Sequence, residues 1–423
     1  MPLIRLHTSL SYQPLRLSPK TPHTMKKTRI CITTLEFPPD VGGVGESVAR
    51  IAHMLNDIGY EVHVAVFHSK QRKDDNLRRS QTLSHLQDDI CIHRLYPAIR
   101  SDNPIVQDFL SEVYFLLEQL HQRFQFSLFH GFFINETGFL TTLLAKELNI
   151  PVINSVRGSD LHKHVFNPKQ HGQVTWTLAN SDWITCVSHA LRHRVCVLVP
   201  EVRYRTTAFW NSILPLDLSN LPVPENLNQL QGTVIGSIGR FRDKKGLEFL
   251  LDACAELAAR IPLTLLLVGD YADRERSYWE QQVQASPIRD RIILTGLIER
   301  TQALAYLPYI DIFTVPSLHD GCPNAMLEAM LAERAIVGTP VDAIGEILRD
   351  RHNALVVPPG DSSALAYALW QLAQSPSLRQ QLGQQARETV LNQLAPAIEQ
   401  AHWAEVYDRV LQSVPEKMFA LSA

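Results

Sequence analysis

The 423-residue chain carries no excess of charge of either sign. Its 40 basic and 43 acidic side chains leave a formal net charge of −3. That balance gives no electrostatic footprint for DNA or RNA, so nucleic acid is not an expected partner. The six cysteines (31, 91, 186, 196, 254 and 322) form no C-x-x-C pair. Neither a zinc ribbon nor a disulfide framework is therefore expected, and a reducing cytosol is the default compartment. No apolar run reaches the ~18 residues that span a bilayer. Residues 1–27 contain no acidic side chain and are rich in Ser, Thr, Pro and basic residues. They lack the apolar core of a secretory signal and resemble a transit peptide only loosely. A flexible extension, or an upstream start ahead of a true start at Met25, is the expectation, with folded structure from Thr28.

What is present is a rhythm. The chain is too long for one core and suits two or three domains. Short β-rich runs at 29–34, 61–67, 90–95, 126–130, 151–156 and 183–188 alternate with longer amphipathic segments such as SVARIAHMLNDIGY. Three prolines (215, 222 and 224) interrupt the pattern between 214 and 232, which reads as a linker. The alternation resumes at 233–238, 263–268, 291–295, 311–315, 335–338 and 354–357. The predicted fold is α/β: two tandem Rossmann-like, doubly wound parallel sheets, 28–213 and 233–395, facing across a cleft. Such sheets take ligands beyond the carboxyl ends of their strands. A last helix over 396–413 has the length to return to the first half, which the sequence leaves open. Residues 414–423 read as a tail.

Three stretches carry chemistry. In FPPDVGGVGES, Gly42, Gly43 and Gly45 precede a helix, so backbone N–H groups and the positive end of a helix dipole could meet an anion. A tight strand–helix turn without a ligand is the alternative. In GSIGRFRDKKG, Arg240 and Lys245 are placed to converge on one spot, a guanidinium fork and a point charge suited to a diphosphate. Arg242 and Lys244, at alternate positions, are expected to be solvated surface charge. In TVPSLHDGCPNAMLEAM, Pro323 suits the first turn of a helix, and the stretch from Gly321 through Cys322, Pro323 and Asn324 to Ala325 could turn its amides, all but proline's, toward the same phosphates. Asp320 before that helix and Glu328 inside it could hold sugar and ribose hydroxyls at the two ends of a nucleotide sugar. A capping Asp with an exposed helical Glu is the plainer account. His130 reads either as a reactive group or as a hydrogen-bonded residue ending a buried strand. His319 reads either as solvent-facing or as a turn residue. His162, His164 and His171 lack a regular ligand face, and no metal is called for.

These stretches, with RGSD (157–160), LLLVGD (265–270) and GTPVDAIGEIL (338–348), stand in the order of a known family. The chain resembles the retaining glycosyltransferases of family 4, which have the two-domain GT-B fold, from Thr28 to about residue 413. The resemblance implies that Arg240 and Lys245 bind the donor diphosphate and that Glu328 holds the ribose. It implies that Asp320 contacts the transferred sugar, that Gly42 and Gly43 close over the phosphates, and that His130 approaches the reacting carbon. Arg157, Gly158 and Asp160 match an acceptor-side loop. The family usually has Glu where Asp320 stands, a second histidine where Phe132 stands, and Gly-Gly where Asp342-Ala343 stands. The implied activity is transfer of a hexose-type sugar, with retention, from a nucleoside-diphosphate sugar (UDP favoured, GDP the other option) to a hydroxyl of a glycan, a lipid-linked acceptor or a small molecule. No cofactor would be permanently bound. Rival readings are an epimerase or phosphorylase on the same fold, a non-catalytic sugar-nucleotide binder, and a periplasmic solute-binding protein. The basic and apolar residues of 188–198 fit a peripheral contact at the inner membrane face, and equally an exposed helix or an acceptor loop.

Overall fold

The β-branched runs form two sheets in the computed structural model, which describes residues 27–40, 42–67, 79–98, 106–215 and 220–413. Residues 1–26 of the expected N-terminal extension, residues 216–219 of the expected linker and the whole expected tail lie outside the described residues. The first sheet has eight strands: β1 (Arg29–Thr34), β2 (Glu61–Phe67), β3 (Gln81–Gln87), β4 (Ile90–Tyr96), β5 (Leu128–Phe132), β6 (Val152–Val156), β7 (Trp183–Cys186) and β8 (Thr206–Ala208). Their order is β3-β4-β2-β1-β5-β6-β7-β8, parallel throughout except for the β3–β4 pair. The second sheet has β9 (Thr233–Ile238), β10 (Leu263–Val268), β11 (Ile292–Leu294), β12 (Ile312–Val315), β13 (Ala335–Gly338) and β14 (Leu355–Val356) in the parallel order β11-β10-β9-β12-β13-β14. Each chain half is thus a doubly wound α/β unit, as the alternation predicts.

Both faces of each sheet are covered, which is why the strands read as nearly continuous apolar runs. Along β1, Ile30 and Ile32 enter one cluster of buried side chains while Cys31 between them enters another. The last helix, Pro396–Gln412, leaves the second domain and lies on the first. Its Trp403, Val406, Tyr407 and Val410 complete the cluster that holds Ile30 and Ile32. Polar contacts seat it: Arg50 Nε and Nη2 donate to Glu399 at 2.9 and 3.3 Å, and Gln400 Nε2 donates to the Met54 carbonyl at 3.2 Å.

Two strands were not expected from sequence. β8 is three residues long. β3 is polar and largely exposed, and it pairs with β4 through the two-residue turn Asp88-Asp89, both at positive φ (49° and 61°). That is the backbone of a two-residue hairpin turn of the kind whose twist suits flanking strands.

A buried histidine pair lies at this hairpin. His63 Nδ1 and His93 Nε2 are 2.9 Å apart, and Ser84 Oγ is 2.7 Å from His93 Nδ1. Burial, then the neighbouring His63, pushes the His93 pKa down to about 4. Burial lowers His63 as well. The unfolded chain, with histidines near 6.5, therefore binds more protons than the native state between about pH 6.5 and 4. Stability contributed by these rings is complete above the unfolded value and is lost as the pH falls through that window. Thermal melts should show Tm declining steadily from about pH 6.5 to about pH 4, with a shallower decline in a His93→Gln variant. A wild-type Tm that is flat across the window would refute the assignment.

Candidate active site

The carboxyl ends of β9 and β12 open on a cavity with about 320 Å³ of empty space. Gly239, Arg240 and Lys245 line it from the loop after β9. Pro323, Ala325 and Met326 line it from the start of the helix Asn324–Leu331. The two cations picked out by spacing thus share one wall, opposite a helix N-terminus. Their present partners differ. Arg240 is about half exposed and pairs with Asp273 at 2.9 Å, a contact two exposed groups can exchange for a ligand at little cost. Lys245 is more enclosed and gives its ammonium to Asp320 Oδ2 at 2.5 Å.

Lys244 does not face solvent as expected. It is 8% exposed, and its ammonium lies 3.0 Å from Asp320 Oδ1. The cause is local: Asp243–Lys245 is a single 3-10 turn rather than an extended run, so its side chains do not alternate. Gly246 ends the turn at φ 65°, where a Cβ would stand 2.1 Å from the Pro316 carbonyl oxygen. Only glycine fits there, and both lysines are delivered to one carboxylate.

Asp320 is accordingly not turned toward an open sugar site. Its side chain is buried, Oδ1 also accepts the Gly321 amide at 3.1 Å, and its own amide donates to Asp342 Oδ2 at 3.0 Å. Burial by itself would raise its pKa, but the two adjacent ammoniums outweigh it and hold the carboxyl well below the usual range. In this arrangement its work is to position Lys244 and Lys245. Asp342 keeps a positive φ of 44° and uses its carboxylate to tie down the Asp320 backbone.

Glu328 lies inside the helix, buried, with Arg300 Nε and Nη2 donating to its Oε1 at 3.1 and 2.6 Å. Burial raises its pKa, partly offset by Arg300. Helix Asn324–Leu331 begins one residue after Pro323, not at it.

His130 requires a correction. The strand runs over 128–132 rather than ending at 130, so the ring sits in the middle of a buried strand beside β1 and β6. The residue is fully buried, with Nδ1 2.8 Å from Tyr407 Oη and Nε2 2.7 Å from Ser155 Oγ. Burial, then Arg157, lowers its pKa to about 3. With both ring nitrogens engaged in the core, it anchors the last helix and does not line the cavity above.

The first domain meets the second closely. Gly158, at φ 124°, faces Gly321: a Cβ on Gly158 would lie 3.2 Å from the Gly321 nitrogen, and one on Gly321 would lie 2.2 Å from the Arg157 carbonyl oxygen. Asp160 is buried and accepts the Arg157 and Gly158 amides at 3.1 and 2.8 Å, so it shapes this loop from within. Arg157 reaches Asn211 Oδ1 at 2.9 Å, and burial lowers its pKa to about 10. Asn211 Nδ2 in turn donates to the Cys322 carbonyl and Asn324 Oδ1 at 3.1 and 3.0 Å. The Cys322 thiol is raised by burial to about 12 and is not a nucleophile. Gly42 precedes the helix Gly43–Ile58, and Asn324 Nδ2 donates to the Gly43 carbonyl at 3.3 Å. Gly43 itself borders open space, while Gly321, Cys322 and Asn324 serve the domain contact and Pro323 and Ala325 the cavity. Sequence reasoning missed Arg300, Asn211 and Lys244, whose roles depend on distant partners.

The histidines 162, 164 and 171 do not converge. His164 Nδ1 is 2.8 Å from Gln170 Oε1, and His171 Nδ1 is 2.9 Å from the Val165 carbonyl oxygen. His162 instead stacks on His319 at 4.5 Å, so His319 is half-buried rather than facing solvent.

Two family models match in tandem: Glycosyltransferase Family 4 over residues 41–205 and Glycosyl transferases group 1 over residues 232–375. A lipopolysaccharide core biosynthesis glycosyltransferase of Rhizobium meliloti is 26% identical over 219 residues, which is 51% of this chain and 61% of the relative. The match therefore spans less than two thirds of that relative's length. Sucrose-phosphate synthase from Thermosynechococcus elongatus superposes with a TM-score of 0.72 at 18% identity, covering 92% of this chain and all of that one. Anabaena HepE in complex with UDP superposes with a TM-score of 0.69 at 16% identity, over 90% of this chain and all of that one. At such identities the likeness is one of fold.

Proposed function

The chain belongs to the family 4 glycosyltransferases, and from that premise we propose that it transfers a hexose-type sugar, with retention, from a nucleoside-diphosphate sugar to an acceptor hydroxyl. One observation carries the reading: Arg240 and Lys245 share a cavity wall with the start of the helix Asn324–Leu331. A guanidinium, an ammonium and helix N-terminal amides together suit the charge that grows on a departing diphosphate. Glu328, with both Arg300 contacts on Oε1, keeps its other oxygen for a ribose hydroxyl. UDP is the favoured nucleotide, a choice supported by the UDP complex of a protein with the same fold.

In this scheme the bond from the anomeric carbon to the diphosphate oxygen breaks as the acceptor oxygen bonds on the same face. The acceptor's proton passes to the leaving phosphate oxygen, and the residues position the reactants and stabilise the leaving charge. Asp320 acts through the lysines it holds. The close Gly158–Gly321 contact limits water in the cleft and hence donor hydrolysis. The acceptor approaches from the first domain, where Arg157 and the basic helix His189–Leu198 lie. Val197 on that helix is 64% exposed, which suits peripheral contact when the acceptor is lipid-linked. Among the described residues no helix is long and apolar enough to cross a membrane. All six cysteines are free thiols, which fits a reducing cytosol.

A thermal-shift panel of UDP, GDP and ADP sugars, followed by proton NMR of the product with the responding donor, tests the reading. The expected result is a response to UDP sugars and a product with the donor's anomeric configuration. An inverted product would refute retention. A new epimer formed without acceptor would identify an epimerase, and tight binding without turnover over a broad acceptor panel would identify a binding protein.

A further inference from the structure

A second cavity, with about 490 Å³ of empty space, opens between the two domains. The first domain contributes His162 and Lys163 to it, and the second contributes Arg242, Asp243, Lys244 and His319. It adjoins the diphosphate cavity across one side chain. Asp320 Oδ2 holds Lys245, which lines the first cavity, and Oδ1 holds Lys244, which lines the second.

The charge in this second cavity is not balanced from within. Lys244 is matched by Asp320, and Arg274, also on its wall, by Glu275 at 3.1 Å. Asp243 uses one carboxylate oxygen on the Lys244 amide. Among the described residues, Lys163 and Arg242 have no carboxylate within ion-pairing distance. Arg242 Nε and His319 Nδ1 are buried without a hydrogen-bond partner. Orphaned polar atoms of this kind are uncommon in folded proteins and call for a missing group. His162 is engaged at one nitrogen: Arg194 can only donate, so His162 Nδ1 accepts from it at 2.8 Å. The ring proton then sits on Nε2, which lies 2.8 Å from Asp342 Oδ2 but outside hydrogen-bonding geometry, so this buried atom too lacks a hydrogen-bond partner. The ring is a fixed wall that His319 stacks on.

We propose that this interdomain cavity binds an anionic group, a carboxylate or a phosphate, carried by one of the two transfer substrates and held between Lys163 and Arg242. The assignment rests on the donor-site reading above, because the cavity lies directly across Asp320 from the proposed diphosphate site. Two sources share the chemistry: a uronic-acid type of transferred sugar, or an acceptor bearing a carboxylate or phosphate. Since its two cations come from different domains, an anion there would also bridge the two domains.

Isothermal titration of inorganic phosphate into the full chain saturated with UDP tests this, because UDP occupies the Arg240–Lys245 cavity. Phosphate should bind, and Lys163→Gln with Arg242→Gln should weaken it about tenfold or more, as loss of charge-assisted hydrogen bonds requires. The single Lys163→Gln variant changes an exposed side chain and gives the same direction if the double variant folds poorly. No phosphate binding by the wild type, or equal binding by both variants, overturns the proposal. Failure to bind UDP would count against the donor site separately, and the phosphate titrations of wild type and variants without UDP would still decide this cavity. For the source, UDP-glucuronate binding about tenfold tighter than UDP-glucose, a preference erased by the variants, assigns the anion to the donor sugar. Equal affinities, with phosphate still binding beside UDP-glucose, assign it to the acceptor.

Discussion

Replacing Arg240 and Lys245 together with alanine should lower kcat by about 10²–10³-fold and abolish the thermal response to the donor. These side chains form the cationic wall of the cavity beyond β9 and β12, and among the described residues no other side chain on that wall carries a full positive charge. Their present contacts are replaceable. The exposed Arg240–Asp273 pair contributes little to stability, so Arg240→Ala alone should fold normally. Lys245→Ala leaves Asp320 with Lys244 as counter-ion, which keeps the buried carboxylate compensated. The double variant should therefore be folded with its kcat strongly reduced, the combined effect being less than the product of the single ones because the two groups act on one leaving group. Steady-state donor consumption and a melting curve on the same sample read both quantities. A folded double variant within about threefold of wild-type kcat would place the phosphates elsewhere.

The largest effect on stability should come from Glu399→Ala. This carboxylate is buried on the last helix and accepts from Arg50 Nε at 2.9 Å, the Ser212 amide at 2.8 Å, Ser212 Oγ at 2.6 Å and Trp403 Nε1 at 3.3 Å. Burial would raise its pKa, but Arg50 beside it, with the Ser212 bonds, lowers the value overall. Truncation leaves the buried Arg50 guanidinium without its partner, which costs about 3–5 kcal/mol. In a chain of this size that corresponds to a Tm loss of about 3–6 °C. Because the helix carries Trp403 and Tyr407 into the first domain's core, amide exchange should rise first along 396–412 and β5. A Tm change within about 1 °C would mean that the helix is held by its apolar face alone.

Much of the fold was legible because parallel strands buried on both faces leave dense β-branched runs between amphipathic helices. The polar strand β3 escaped for the same reason: its side chains are exposed, and it is a strand only because β4 pairs with it across Asp88-Asp89. At the site, Arg240, Lys245 and Glu328 could be singled out because glycine-rich turns and a helix start announce them locally. His130 was misread because the strand begins two residues later than its composition suggests, and because its decisive partner, Tyr407, is 277 residues away in sequence. Lys244 was misread because an alternating, extended geometry was assumed where Gly246 closes a 3-10 turn. The Asp at 320, where the resemblance implies Glu, is explained once both lysines are in view. The shorter side chain is bound between them within its own domain.

A crystal structure of the chain with an intact UDP sugar would test the donor site most directly. The expected result has the diphosphate oxygens within hydrogen-bonding distance of Arg240 and Lys245, the start of the helix Asn324–Leu331 facing them, and a ribose hydroxyl on Glu328. A donor bound with its diphosphate away from those two cations would contradict it.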